Sequence, residues 1–179
     1  MIKKGWPLLI CIGLVSTLHA SDGDSLVKFD GGIGVIPVSS AAGANPDGTS
    51  PNVNRNVVRG VNPPGQIWII AGLKADVKVD GRIEVRGRGL LLGGGNNIGL
   101  NANASVFATL ICEAAAPFTE HSTSLTGIPL EPNGDFRIDD VLSLPPVECP
   151  SPVLLIRSAG NRAWFAAGIL KGDHKDDDQ

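Results

Sequence analysis

The sequence predicts an all-β domain, an antiparallel β-sandwich, on the strength of three observations. Several short segments alternate apolar and polar residues with the period of two that is typical of strands. Turn residues separate these segments, because the chain of 179 residues contains 23 Gly and 13 Pro. No window of about twelve residues shows the apolar stripe of an amphipathic helix. A small barrel and an immunoglobulin-like topology are the alternatives, although the Trp that the immunoglobulin pattern places between its two cysteines is missing.

The first twenty residues have the pattern of a secretory signal peptide. Lys3 and Lys4 precede an apolar run, and Ala20 ends the segment just before polar residues. The run has about thirteen residues, fewer than the ~20 that span a bilayer. We therefore expect cleavage after Ala20 and no membrane span in the mature protein, which would be secreted, displayed at the cell surface or periplasmic.

Cleavage would change the charge and the cysteine content of the chain. Without Lys3 and Lys4 the mature protein has 13 basic and 18 acidic side chains, a net charge of −5 instead of −3. This balance argues against a nucleic-acid partner, for which a basic face is the usual footprint. Cys11 leaves with the leader, so Cys112 and Cys149 remain as one pair in an oxidising compartment. We predict that they form a disulfide.

The N-terminal region contains a strand and a long connector. From Val27 to Val35 the odd positions are apolar or Gly, and the even positions include Lys and Asp, which predicts a strand. The next segment is rich in Ser, Ala, Gly, Asn and Pro, which indicates a flexible linker or a long loop. The predicted organisation is a signal peptide (1–20), an N-terminal strand (21–38), a linker or loop (39–55), a β-sandwich core (56–171) and an acidic disordered tail (172–179).

A hairpin is predicted where the alternation of residues 67–79 meets Asp80-Gly81. We expect Val79 to lie opposite Ile83 across a three-residue loop, because this register keeps the apolar residues on one face. It also places opposite charges beside each other on the outer face. The pairs expected there are Lys78 with Glu84 and Asp76 with Arg86.

The remaining strands are shorter and more buried in character. Residues 106–112 are apolar on both faces, which indicates a central strand. Pro residues bracket Cys149, so residues 145–152 are predicted to be a loop or a sheet edge that the disulfide holds. The other predicted strands are 136–138, 153–156 and 163–170.

The sequence contains no recognisable catalytic constellation. His121 is the one histidine outside the leader and the tail, and its polar neighbours predict a solvated surface loop. Asp139 and Asp140 are adjacent in a strand and therefore point to opposite faces. Glu113 and Glu120 are the other carboxylates that we considered. We assign no catalytic, cofactor-binding or metal-binding residue, and no cofactor is expected.

Two features of the sequence concern carbohydrate, one as a bound ligand and one as a covalent modification. Trp68 and Trp164 are the candidate sugar platforms, but their apolar neighbours favour core positions. Asn103-Ala104-Ser105 matches a glycosylation acceptor, so Asn103 is a candidate for modification if the source glycosylates this motif.

Four stretches resemble segments of small exported bacterial proteins with no assigned activity. The resemblance covers about half of the chain and implies export and an all-β fold, with no functional residues to transfer. The stretches are residues 88–97, 134–140, 151–157 and 164–168.

Three functional hypotheses follow from the sequence. The first is an exported non-catalytic β-sandwich module with a binding or structural role in the cell envelope or exterior, whose partner is a protein or a glycan. The second is a self-assembling filament or surface-layer subunit that inserts residues 25–38 into a neighbouring copy as a donor strand. The third is a secreted hydrolase with an unrecognised site.

Overall fold

The computed structural model describes residues 24–40 and 53–172. Within these ranges the chain forms strands and no helix, so no helix there is long and apolar enough to cross a membrane. The predicted signal peptide lies outside the described residues, as do residues 41–52 of the predicted linker and residues 173–179 of the predicted tail. The strands are β1 (Ser25–Gly34), β2 (Val38–Ser40), β3 (Val53–Arg55), β4 (Trp68–Ile69), β5 (Gly72–Lys78), β6 (Arg82–Arg88), β7 (Leu91–Leu92), β8 (Ser105–Ile111), β9 (His121–Ser122), β10 (Ile128–Pro129), β11 (Phe136–Val141), β12 (Val153–Ser158) and β13 (Trp164–Leu170).

Nine of these strands form one antiparallel sheet. Its order is β10-β8-β12-β13-β1-β5-β6-β11, and β9 also pairs with β8. The two ends of the sheet, β10 and β11, lie in contact, so the sheet is nearly closed and barrel-like. The all-β antiparallel prediction is confirmed. The two-layer sandwich is not confirmed, because the strands curl into one continuous sheet, as in the small-barrel alternative.

The core fills the interior of this curled sheet. Apolar residues alternate into it from β5, β6 and β11, whereas β8 and β12 are buried on both faces. The predicted central strand over 106–112 is therefore confirmed. Trp68 and Phe165 stack at the core with ring centroids 4.0 Å apart.

The N-terminal strand pairs within its own chain. β1 lies between β13 and β5, and its Val27 and Phe29 are buried. A bulge separates the pairs Phe29–Leu170 and Gly32–Gly168, with Gly31 at a φ of 106°. This shift reverses the alternation, so Ile33, which we expected to face inward, is 58% exposed.

The connector that follows β1 contains a short ladder. Val38 pairs with Arg55 and Ser40 pairs with Val53, so β2 and β3 bring together the two ends of the predicted linker. The linker prediction otherwise falls on residues 41–52, outside the described part of the chain.

The hairpin of β5 and β6 differs from its predicted register. Val77, not Val79, lies opposite Ile83. The turn is closed by a hydrogen bond from Gly81 N to Lys78 O of 3.0 Å, and Gly81 has a φ of 86°. The loop still has three residues, but they are Val79-Asp80-Gly81, a type I turn followed by a left-handed residue that Gly adopts without strain. Each residue of β6 therefore pairs with the β5 residue two positions before the expected partner.

The long alternation before this hairpin is divided between two strands. β4 pairs with β7, whereas β5 pairs with β1 and β6, and the chain breaks between them at residues 70–71. Because of this break, Ile67 and Ile69, which we expected to face inward, are 40% and 51% exposed. Trp68 is buried in their place.

A disulfide joins Cys112 to Cys149, as predicted. Cys112 directly follows β8. Cys149 lies in the proline-rich loop before β12, and this loop contains no strand. Ser151 N also donates to Cys112 O at 3.0 Å. The disulfide thus holds the predicted loop 145–152 against the end of a central strand.

Replacing both cysteines by Ser should lower the free energy of unfolding by about 3 to 4 kcal/mol, because the cross-link closes a long loop of the unfolded chain. The two cysteines are 37 residues apart. Urea unfolding of the oxidised wild type and the double variant measures the difference. Equal unfolding midpoints would contradict a stabilising role.

Candidate functional site

The outer face of the sheet carries charged residues on four neighbouring strands. On β1, β5, β6 and β11, polar residues alternate with the buried residues that point into the core. Each strand places an acidic and a basic residue two positions apart on this face, and Lys78, Arg82 and Arg88 extend the same face of β5 and β6. The four pairs are Lys28 and Asp30, Lys74 and Asp76, Glu84 and Arg86, and Arg137 and Asp139.

The register sorts these charges into two rows across the strands. Asp76 lies opposite Glu84, and Glu84 lies opposite Asp139; Lys28 is the β1 member of this acidic row. The basic row contains Lys74, Arg86 and Arg137 in direct opposition, with Asp30 as its β1 member. Like charges are therefore direct neighbours across three strands. Such neighbours are unfavourable in a sheet.

Ion pairs between the rows offset this repulsion. Arg86 Nη2 and Arg137 Nη2 lie 2.7 Å and 3.0 Å from Glu84 Oε1. Asp139 accepts a longer contact of 3.6 Å from Arg137. The side chains stay partly in water, with 63% of Arg86 and 41% of Glu84 exposed, so each pair contributes little to stability.

The β1 ends of the rows enclose a shallow groove of about 310 Å³. Lys74 Nζ lies 3.4 Å from Asp30, and Lys28 Nζ lies 3.8 Å from Asp76. Lys171 also lines this groove, and its backbone N donates to Lys28 O at 2.9 Å. The groove therefore presents both signs of charge and no deep apolar pocket.

Asp76 has the most contacts of the acidic row. Its partial burial acts to raise the pKa, but the hydrogen bonds from Ser25 and Lys78 and the charges of Lys78 and Lys28 outweigh this effect. The pKa of Asp76 therefore lies below its ordinary value of 3.8. Lys78 Nζ is 3.0 Å from the carboxylate, and Ser25 Oγ donates to it at 2.7 Å.

A second polar cluster lies under the loop that precedes β9. Arg157 is 6% exposed, and its Nη1 donates to Glu120 at 2.6 Å and to Thr109 Oγ1 at 3.3 Å. Its Nε donates to Arg162 O at 2.9 Å, and Thr109 and Ser122 share a hydrogen bond of 2.8 Å. Three of the five N–H donors of the buried guanidinium therefore have hydrogen-bond partners. The cluster fixes the loop that precedes β9 to β12.

The residues considered for catalysis are separated by this architecture. His121 is 8% exposed, and its Nδ1 contacts Leu144 O, so the prediction of a solvated histidine was wrong. The segment returns beside β8 as β9, which buries it. Glu113 accepts a hydrogen bond from Thr119 N of 3.1 Å, and Asp140 accepts one from Ser124 N of 2.8 Å. Among the described residues, no group of three His, Cys, Asp or Glu side chains is placed to hold a metal ion.

The carbohydrate candidates also have defined positions. Trp68 and Trp164 are buried, which confirms the core interpretation, and Trp164 Nε1 donates to Asn56 O at 2.9 Å. Asn103 is exposed in a turn before β8, with a φ of 49°. Its glycosylation stays a prediction.

The two charged rows were missed by sequence reasoning. The signal is present, since four strands each contain an acid and a base two residues apart. Their alignment depends on the strand order and on the hairpin register, and the predicted register would have mixed the signs.

Comparison with known proteins found no matching protein-family model, no matching curated protein and no matching solved structure.

Replacing Asp76 by Asn should destabilise the protein most at neutral pH. A carboxyl group whose pKa is lowered on folding contributes stability above its unfolded pKa, and this contribution is lost as the pH falls through the folded value. The difference between wild type and Asp76→Asn should therefore shrink as the pH falls below the ordinary carboxyl value of 3.8.

Urea midpoints at a series of pH values measure this difference. Asp139→Asn is the matched control, because Asp139 belongs to the same row but is 77% exposed and has a contact of 3.6 Å. The control should change stability less at neutral pH. A difference for Asp76→Asn that stays constant with pH would contradict the assignment.

Proposed function

We propose that this protein is an exported, non-catalytic β-module with a binding or structural role in the cell envelope or exterior, and that the two charged rows are its contact surface. The single observation that carries the proposal is the alignment of like charges across β5, β6 and β11. The signal-peptide pattern supports export. The disulfide is consistent with an oxidising compartment.

The alignment favours a contact surface because a solvated face gains nothing from it. Opposite charges placed directly across the strands would give favourable neighbours at every position. Here Lys74 faces Arg86 and Asp76 faces Glu84, and ion pairs between the rows supply the compensation. A protein or glycan partner with complementary charges would relieve the remaining repulsion, and its recognition would depend on the spacing of the rows.

A non-catalytic role is favoured over a secreted hydrolase by the placement of the polar groups. Glu120 is bound to Arg157, His121 lies against a backbone carbonyl, and Asp140 caps a backbone N–H. General acid–base chemistry needs such groups to converge on one substrate position. Turnover of any substrate that is abolished by one polar-to-Ala change would establish the hydrolase alternative.

Neutralising the centre of the face should release the protein from the envelope of the cells that produce it. The variant Lys74→Thr, Asp76→Thr, Glu84→Thr and Arg86→Thr removes two charges of each sign, so the net charge is unchanged. Thr is favourable in strands, so the fold should survive. Fractionation of cells that express wild type or variant measures retention, and we expect at least a tenfold smaller envelope-bound fraction for the variant.

A control with charge changes away from the face is Glu131→Lys with Glu148→Lys, both exposed. It should be retained like the wild type. Equal retention of the wild type and the four-residue variant, with both folded by circular dichroism, would refute the assignment of the contact surface.

The second candidate function is self-assembly through residues 25–38. The observation that favours it is the position of β1, which pairs along both of its edges, with β13 and with β5. The same slot would accept the strand of a neighbouring copy.

Deleting residues 21–38 distinguishes a donor strand that links neighbouring copies from a strand that pairs only within its own chain. If neighbouring copies exchange strands, the truncated protein should be soluble and should recover the wild-type circular dichroism when a peptide of residues 25–38 is added. An unfolded product that the peptide does not rescue would contradict the donor-strand role. If neighbouring copies exchange strands, light scattering of the full-length protein should show open-ended oligomers.

A further inference from the structure

We infer that the partner of the outer face is an anionic polysaccharide, whose carboxylate groups bind four basic side chains near the centre of this face. This basic strip consists of Lys74, Arg86, Arg88 and Arg137, on β5, β6 and β11. The inference rests on the proposed role of this face as a contact surface, and it names the class of partner.

The basic strip is contiguous across three neighbouring strands. Lys74 lies directly opposite Arg86, and Arg86 lies directly opposite Arg137. Arg88 follows two positions later on β6, opposite Gly72, and therefore lies on the same side of the sheet. Neighbouring strands are about 4.8 Å apart, and alternate residues of a strand are about 7 Å apart. The four side chains thus form one array of positive charge.

Arg88 is the cation of the strip that is most available to a ligand. It is exposed, and its side chain has no ion pair or hydrogen bond within the described part of the chain. A Cβ at Gly72 would lie 3.2 Å from Nη2 of Arg88, so the missing side chain leaves room for this guanidinium to extend towards β5. Its five N–H donors can therefore all bind an anion.

The other two guanidinium groups of the strip also keep donors. Nε and Nη2 of Arg86 both contact Glu84 Oε1 at 2.7 Å, and Arg137 Nη2 lies 3.0 Å from the same oxygen. One carboxylate oxygen thus serves two arginine side chains, which are 63% and 55% exposed. Since each guanidinium has five N–H donors, both can form further charge-assisted hydrogen bonds with a carboxylate.

The basic side chains outside the strip are engaged in ion pairs. Lys78 Nζ lies 3.0 Å from Asp76, and Arg82 Nε lies 2.8 Å from Asp80, on the far side of the acidic row. Counted together with the strip, the outward positions of β5 and β6 carry five basic and two acidic side chains. The centre of the face is therefore net basic, although the whole chain has a net charge of −3.

Acidic side chains border the strip. They belong to the acidic row, to the β1 end of the basic row and to the turn before β11, and they are Asp76, Glu84, Asp139, Asp30, Glu131 and Asp135. The first four are paired with basic side chains of the face, and Asp135 accepts hydrogen bonds from Gly89 N and Asn133 Nδ2. An anionic polymer is thus attracted along the strip and repelled beside it, so its binding depends on position rather than on net charge.

The composition of the face favours a polysaccharide over other anionic partners. Every outward position of β5 and β6 is charged or Gly, and none carries an apolar or aromatic side chain. Protein interfaces concentrate aromatic and apolar residues at their centre, and helices that lie on a membrane bury an apolar face in it. A hydrated chain of acidic sugars needs neither, and its repeated carboxylates can contact several cations of the strip at once.

Calorimetric titration with polygalacturonate tests the inference, because every sugar of this polymer carries a carboxylate. The protein purified after export should bind it at about 0.1 M salt and lose it at about 1 M, where the Debye length falls to about 3 Å. Monomeric galacturonate should bind at least about tenfold more weakly, because a single carboxylate lacks the multivalent gain. Neutral dextran should not bind.

Two arginines of the same strand provide a matched pair of variants. Arg88→Gln should weaken the binding of polygalacturonate at least about fivefold, because it removes charge-assisted hydrogen bonds. Arg82→Gln makes the same change of charge on β6, beyond the acidic row and outside the strip, and should change the affinity less than about twofold at about 0.1 M salt, where the Debye length is about 10 Å. Circular dichroism shows that both variants are folded.

Four results would overturn the inference. They are no binding of polygalacturonate by the wild type at the lower salt concentration, equal binding of dextran, equal losses in the two arginine variants, and tighter binding of polyglutamate or of phosphatidylglycerol vesicles. The last result would assign the face to an acidic protein or to a membrane. The proposed function fails separately, when the variant with four Thr substitutions is retained in the envelope like the wild type.

Discussion

The pairing of β1 with two neighbours holds the sheet together. It joins β13 on one edge to β5 on the other, and thereby connects the strands β10, β8 and β12 with the strands β6 and β11. Close packing of the chain beyond the bulge depends on glycine, because a Cβ at Gly34 would lie 2.2 Å from Trp68 O. Trp68 N in turn donates to Val35 O at 3.1 Å. The segment that the sequence presents as a loosely tethered strand is therefore an integral part of the curled sheet.

The turn between β5 and β6 determines the electrostatics of the outer face. Gly81 adopts the left-handed conformation that ends the three-residue loop, and this fixes Val77 opposite Ile83. A shift by two residues, to the register in which Val79 lies opposite Ile83, would keep the apolar residues inside but would place Asp76 beside Arg86. One local backbone conformation thus decides whether the charges alternate or form rows. The proposed contact surface depends on that conformation rather than on any single charged residue.

The other half of the sheet has a different outer surface. β8 and β12 are buried on both faces because loops cover them from outside. The disulfide holds one of these loops, and the Arg157–Glu120 ion pair holds the other. Phe107 lies beneath two guanidinium groups, each 5.3 Å from its ring centroid. Glu120 and His121, two of the groups considered for catalysis, are bound within this covering, whereas Asp139 lies exposed in the acidic row.

The sequence by itself determined the all-β class, most of the strands and the disulfide. These features depend on local alternation, on turn residues and on a single cysteine pair, all of which can be read along the chain. It missed the bulge at Gly31, the break between β4 and β5 and the register of the hairpin, because each leaves the count of apolar residues unchanged while altering the direction in which they point. Only the tertiary structure decided that His121 is buried, that the strands curl into one sheet and that the charges form two rows. These properties depend on which strands are neighbours and in what register, and that is set by packing between residues far apart in the chain.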